Sequence, residues 1–536
     1  MSQPLARTAV FNALSKVMKL SPELASRLQD PSSDVQLAEL TIDSLDALEL
    51  CMEIETGTGV ELDPAELAPL DTIGDLIRHV AGKDRRAAAS IVRASRNRPL
   101  PLSLTQERVW SHCQQLPDPS GYILSMIDKI EGPLDVGILA TCLSAVISRH
   151  EILRTTFPLV DGRPVQTVHP AEEVGLRVVS IDDNEDPELA ARRIVEVERS
   201  SISDLAGGPL LKFVVLRICD QEHLLIRLAH HMVWDGQSGK LFLDELTSLY
   251  EARLREKPTD LPALQLQYAD YAVWQRAVFD PDGQAYHRTV AWWETHFRDA
   301  RCSTELPFKR SKALSGVDPS AGRLVRLIEP KLMERLNELR RGVATTPYKI
   351  WLAGFVAVLW LETNCPDLVV GTYVTDRRHR QLRDLVGDFS HTIAIRFSCD
   401  GDITFSELVS HVGATVAAAE SNSSIPLETL GVELQRRNIE MPPVSAIFSM
   451  PPGNHSEERR FANLRLYSAE PRNPTAMPWG FSLQIYERNQ EYWCEANFDA
   501  GIYDPLLVRK TMDHLCEFLT AVSHHPELEV GELRRG

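Results

Sequence analysis

The order of apolar and polar positions changes character near residue 100. Before it, the period is helical. Val10, Leu14 and Val17 fall near one face of a first segment, and Leu45, Leu48, Met52 and Ile54 do the same after a break at Thr41–Asp43. Pro64 and the Asp71-Thr72 pair then punctuate the chain, and Ile73, Leu76, Ile77 and Val80 form a last amphipathic set. This pattern predicts three or four short helices and no strand. Beyond it, GYILSMIDKIEG (121–132), LLKFVVLRI (210–218) and HLLIRLAHHMV (223–233) are alternating or continuous apolar runs that predict strands. Helical runs cover 136–155, 238–256 and 345–363. The last holds one Lys and one Glu, and predicts a buried helix and not a membrane span. Irregular alternation of the two periods predicts an α/β unit with two subdomains.

Charge sharpens the division. Residues 1–82 hold fourteen Asp or Glu against five Lys or Arg, a net of −9, which is half the total of −18. The stretch 82–101 reverses the sign, with six Lys or Arg and one Asp. A small acidic domain (1–82), a basic tether (83–98) and a large domain (99–533, halves 99–270 and 271–533) follow from this. A chain of 536 residues exceeds one ordinary core. The acidic balance argues against nucleic-acid binding. Nine scattered cysteines without a CxxC pair fit free thiols in a reducing cytoplasm. The N-terminus lacks a signal-peptide pattern, and no apolar run is long enough to span a membrane, so no membrane partner is expected.

Two stretches carry candidate chemistry. In LTIDSLDALELCMEIE (40–55), Ser44 stands at the entry of an acidic amphipathic helix. A helix N-cap is one reading, because serine is strongly preferred there. In AHHMVWDGQS (229–238), two histidines at a strand end precede an Asp-Gly turn and a helix. Adjacent strand residues face opposite ways, and no second ligand cluster lies nearby, so metal binding is disfavoured. A packed histidine with a plain turn is one reading. A single histidine presented as a proton acceptor, with Asp235 holding the loop through an ion pair, is the other.

Resemblance bears on both. Asp-Ser-Leu before an acidic helix, inside an 80-residue helical module, resembles acyl and peptidyl carrier proteins. That implies a four-helix fold with 4'-phosphopantetheine on Ser44, although Thr41 stands where the family has glycine. HHMVWDG resembles the HHxxxDG motif of condensation domains of nonribosomal peptide synthetases. PLSLTQERVW (101–110), RHEILRTTF (149–157), YADYAVWQ (268–275), VGDFSHTIAIR (386–396) and PRNP (471–474) resemble further motifs of that family, in family order. The resemblance implies two chloramphenicol-acetyltransferase-like α/β subdomains in a V, with a tunnel between them. It implies that His231 lies in that tunnel, that His230 is structural, and that Asp235 pairs with an arginine, for which GTYVTDR (371–377) offers Arg377. Gly236 is expected to let backbone approach substrate. His391, where the family has asparagine, and Asn473 are acceptor-side candidates.

The implied reaction is transfer of a carrier-bound acyl or peptidyl thioester to an amine or hydroxyl, giving an amide or ester. The implied partners are a phosphopantetheinyl transferase, a separate loading enzyme or upstream synthase, and a downstream carrier or free small-molecule acceptor. Neither an adenylation domain nor a GxSxG thioesterase signature is evident, so loading in trans and a chain-releasing step are expected. An epimerisation domain is the near rival, but its Glu-Gly-His-Gly-Arg and Asn-Tyr-Leu-Gly runs are absent from the sequence. A non-catalytic recruitment platform and a free-standing CoA acyltransferase are the others. Incubation with a phosphopantetheinyl transferase and CoA is predicted to add one phosphopantetheine to the intact mass, and Ser44→Ala to abolish the gain.

Overall fold

The computed structural model describes residues 3–18, 22–29, 35–40, 44–60, 62, 64–67, 70–83, 91–116, 118–181, 185–300, 305–310, 321–342, 345–377, 379–444, 446–451, 458–469 and 480–535. Thr41–Asp43 and the PRNP stretch with Asn473 lie outside them, as do the side chains of residues 44–49.

The acidic segment folds as α1 (Gln3–Val17), α2 (Pro22–Gln29), α3 (Ser44–Thr58) and α4 (Ile73–Gly82). Val10 and Leu14, then Leu50 and Ile54, then Leu76 and Val80 close one small core, as their helical spacing requires. Thr72 and Asp75 form a reciprocal capping box that starts α4. Arg383 of the large unit reaches Met52 of this one.

Four strands of the first half of the large unit enter its main sheet: β1 (Ile123–Glu131), β2 (Arg177–Ser180), β3 (Leu211–Cys219) and β4 (Glu222–His230). The second half adds β5 (Ala321–Leu327), β6 (Asp367–Thr375), β7 (Ser390–Ser398), β8 (Ile447–Ser449), β9 (Arg459–Phe461), β10 (Leu464–Ser468), β11 (Phe481–Arg488) and β12 (Glu491–Asp499). One six-stranded sheet runs β9-β10-β1-β4-β3-β2 and a second runs β7-β6-β8-β11-β12-β5, while short strands at 100–101, 155–156, 159–160 and 163–168 form a small third sheet. A hairpin from late in the chain therefore completes the first half's sheet, with Arg465 opposite Glu131.

Both faces of the first sheet are covered at β3 and β4, which explains why these two strands read as nearly continuous apolar runs. Phe213, Val215 and Leu225 face a core that includes Leu143, Phe242 and Leu246. Val214, Leu216, Ile226 and Leu228 face the opposite way, onto Ala190 and Ile194. In the second half, twelve consecutive residues, Ile350 to Leu361, are buried in the helix Pro347–Thr363. Among the described residues, no helix is long and apolar enough to cross a membrane. The segment expected to be helical over 136–155 stops at Arg149. There Arg149 and His150 both bind Glu245, each at 2.9 Å, and these ties turn the chain into a short 3-10 segment.

The loop between β6 and β7 joins the two halves. Its Leu382, Leu385, Val386 and Phe389 are buried in the first half's core, not the second's. Gly387 sits at φ +155, and a Cβ there would collide with the Tyr268 ring. Gly387→Ala is predicted to lower the unfolding free energy by about 2 kcal/mol, read from urea denaturation.

Candidate active site

β4 ends at His230, and a 3-10 turn begins at His231. That change of conformation gives the neighbours different surroundings. His230 is fully buried. Its Nδ1 accepts from Met232 N at 3.2 Å, and its ring stacks on Tyr122 with centroids 6.3 Å apart. Burial, and then the nearby charge of His231, push its pKa down to about 3, so it stays neutral. The His231 side chain keeps 29% of its exposure. Gln106 holds the turn by donating to Met232 O at 3.0 Å.

Asp235 caps the helix α5 (Gly236–Leu254), which the Asp-Gly turn starts. Its carboxylate accepts from Ser238 N at 2.8 Å, Ser238 Oγ at 2.7 Å, Arg377 Nη2 at 3.0 Å and Phe389 N at 3.2 Å. Arg377 also donates to the carbonyls of Leu382 and Leu385, and lies 4.1 Å over the Phe389 ring. Asp235 and Arg377 are both essentially inaccessible. Burial opposes the Asp235 charge, but Arg377 and Ser238 outweigh it and hold the carboxyl below its usual range. A Cβ added to Gly236 would meet nothing within 4 Å, so the backbone there borders open space.

Three residues that sequence reasoning passed over complete the surroundings. Asp388, fully buried, places Oδ1 3.3 Å from His231 Nδ1. Arg108 acts on both charges from the helix Leu104–Gln115. Tyr122 packs edge-on to His231, with centroids 6.4 Å apart. His391 is buried, its Nε2 meets the Ser423 carbonyl and its Nδ1 is 4.0 Å from Asp376. Burial works against the His231 charge, Asp388 favours it and Arg108 opposes it; the balance raises its pKa above that of free imidazole. Among the described residues, no group of three or more His, Cys, Asp or Glu could hold a metal ion.

The model of the condensation domain matches residues 97–534, and that of the phosphopantetheine attachment site matches residues 12–80. The chain belongs to the condensation-domain family. With the attachment domain in front, it is a carrier–condensation didomain of the nonribosomal peptide synthetase type. The didomain is 27% identical over 500 residues to tyrocidine synthase 2 of Brevibacillus parabrevis, covering 92% of this chain and 13% of that protein. It is 29% identical over 442 residues to phosphinothricin tripeptide synthetase PhsC of Streptomyces viridochromogenes, covering 81% and 40%. It thus spans less than half the length of either relative. Its fold is similar to the X-domain from teicoplanin biosynthesis (TM-score 0.70, 23% identity, covering 82% of this chain and 98% of that one). It is also similar to the condensation domain of the monacolin K polyketide synthase MokA (TM-score 0.67, 21% identity, covering 81% and 99%).

The residues present fit the prosthetic group of such a carrier. Ser44 is the first residue of α3, and backbone N–H groups at a helix start favour a phosphodiester.

Removing Asp235 leaves the Arg377 charge buried. Asp235→Ala is predicted to cost about 3 kcal/mol or more in denaturant unfolding. Because the Asp235 pKa is depressed on folding, its contribution is complete above the ordinary carboxylate range and is lost as pH falls through its folded pKa. The variant's deficit should therefore shrink in acid.

Proposed function

We propose that the didomain transfers an acyl or peptidyl group from its carrier to an amine or hydroxyl nucleophile, with His231 as proton acceptor. Ser44 is the attachment residue in this reading. When bound there, 4'-phosphopantetheine supplies a thiol on which the donor rides as a thioester, the bond that breaks as the amide or ester forms. His231 takes the nucleophile's proton at Nε2, the ring nitrogen turned away from Asp388. Asp235 and Arg377 fix the loop that presents it. Holding both reactants at one partly accessible imidazole supplies much of the rate.

The observation that carries the reading is the contrast between the two histidines. His230 is sealed and neutral, whereas His231 is accessible and raised in pKa beside a carboxylate. A recruitment platform is the second reading, favoured by the likeness to the X-domain, which was solved in complex with OxyB. A partly accessible, charge-coupled His231 has no use in that role.

The reading extends to the carrier at 1–82, the tether at 83–98 and the condensation domain at 99–533. It includes a loading enzyme or upstream synthase, a cytoplasmic setting, and an acceptor that is a second carrier or a free molecule. His391 and Asn473 are proposed to influence the acceptor.

In the test, the full chain is loaded at Ser44 from a panel of acyl-CoAs by a phosphopantetheinyl transferase and offered primary amines. His231→Ala is predicted to lower product formation about 100-fold or more with unchanged folding. A near-wild-type rate in that variant would remove His231 from the mechanism.

A further inference from the structure

Asp388 is fully buried, and among the described residues neither of its carboxylate oxygens finds a hydrogen-bond donor. An isolated carboxylate in such a place is costly unless charge compensates it. The charged groups facing it are few. His231 Nδ1 approaches Oδ1 to 3.3 Å, at ion-pair distance without an aligned hydrogen bond, and Nδ1 too has no hydrogen-bond partner among the described residues. Arg108 acts on Asp388 from the helix Leu104–Gln115, but its own ion-pair partner is Glu428, at 3.4 Å. Tyr268, from the helix Tyr268–Val278, donates at 2.5 Å to the Asp388 backbone carbonyl, not to its carboxylate. Tyr122 faces the His231 ring edge-on, and His230 is its neutral neighbour in the chain.

We infer that Asp388 is the positioning residue for His231: it holds the Nδ1–H tautomer, leaves Nε2 free to accept a proton, and stabilises the imidazolium that results. This rests on the proposed role of His231. The backbone of the loop sets Asp388 in place, since Phe389 N is anchored on Asp235 and Gly387 N on Ser238 Oγ, at 3.0 Å. One loop thus fixes the residue on either side of Asp388 and points its carboxylate at the histidine. The raised pKa of His231 agrees, with Asp388 the largest favourable influence on its charge.

Histidine-selective 15N NMR on the full chain, with the His231 signals assigned through His231→Gln, reads the coupling without any substrate. In wild type, His231 is expected to titrate above free imidazole and to carry its neutral-form proton on Nδ1. In Asp388→Asn, which keeps the shape, its pKa should fall by about one unit. A wild-type His231 with its proton on Nε2, or an unshifted pKa in Asp388→Asn, would overturn the inference; the wild-type tautomer needs no variant to fold. In the acyl-transfer assay, Asp388→Asn should lower the plateau rate about tenfold and move the acid limb to lower pH, because a less basic imidazole loses its proton earlier. A purely structural role would leave that limb unmoved and would overturn the inference. Full activity of His231→Ala beside a normal NMR coupling identifies failure of the proposed function instead.

Discussion

The Asp235–Arg377 pair is the constraint on which the candidate site depends. Each partner comes from a different half of the condensation domain, and each is buried beyond the reach of water. A charge in that position is tolerable only while its opposite is held close. The loop after β6 therefore has to stay docked against the start of α5. Ser238, Gly387 and Phe389 complete the same junction. The geometry around His231 is thus set by a contact between halves, not by the histidine's own strand.

Two buried carboxylates lie close together here, and their surroundings differ in kind. Asp235 is saturated by four donors and has no capacity left for chemistry. Asp388 has no donor among the described residues and faces an imidazole. Saturation makes a carboxylate a strut, whereas a lack of partners makes it an influence on its neighbour's proton. The motif residues around them act mostly as scaffold. Glu151 and Asp270 both bind Arg96, at 2.6 Å, and so tie the start of the large unit to two of its helices.

Much of this was legible in the sequence, for identifiable reasons. The strands at 211–219 and 222–230 were readable because burial on both faces leaves long apolar runs, and the half-buried strand at 123–131 was readable from its mix of apolar and polar positions. The two histidines and Asp235 were readable because a strand, an Asp-Gly turn and a helix follow one another without interruption. The helix end at Arg149 was not, because Glu245, far along the chain, decides it. Asp388 was hidden for the same reason. Between Gly387 and Phe389 it reads as an ordinary loop residue, and only the approach of the second half to His231 gives it a partner. His391 drew attention as a departure from its motif, yet its contacts are with Ser423 and Asp376.

The hairpin β9–β10 has a consequence for how the chain is made. Its strand β10 pairs with β1, more than 300 residues earlier in the sequence. During synthesis, that side of β1 waits as an open edge, with backbone donors and acceptors unmatched, until the hairpin has left the ribosome. Such distant pairing slows folding and prolongs exposure of an apolar sheet. The two halves are consequently woven into one cooperative body. A truncation placed between them would sever a sheet, not release an independent domain.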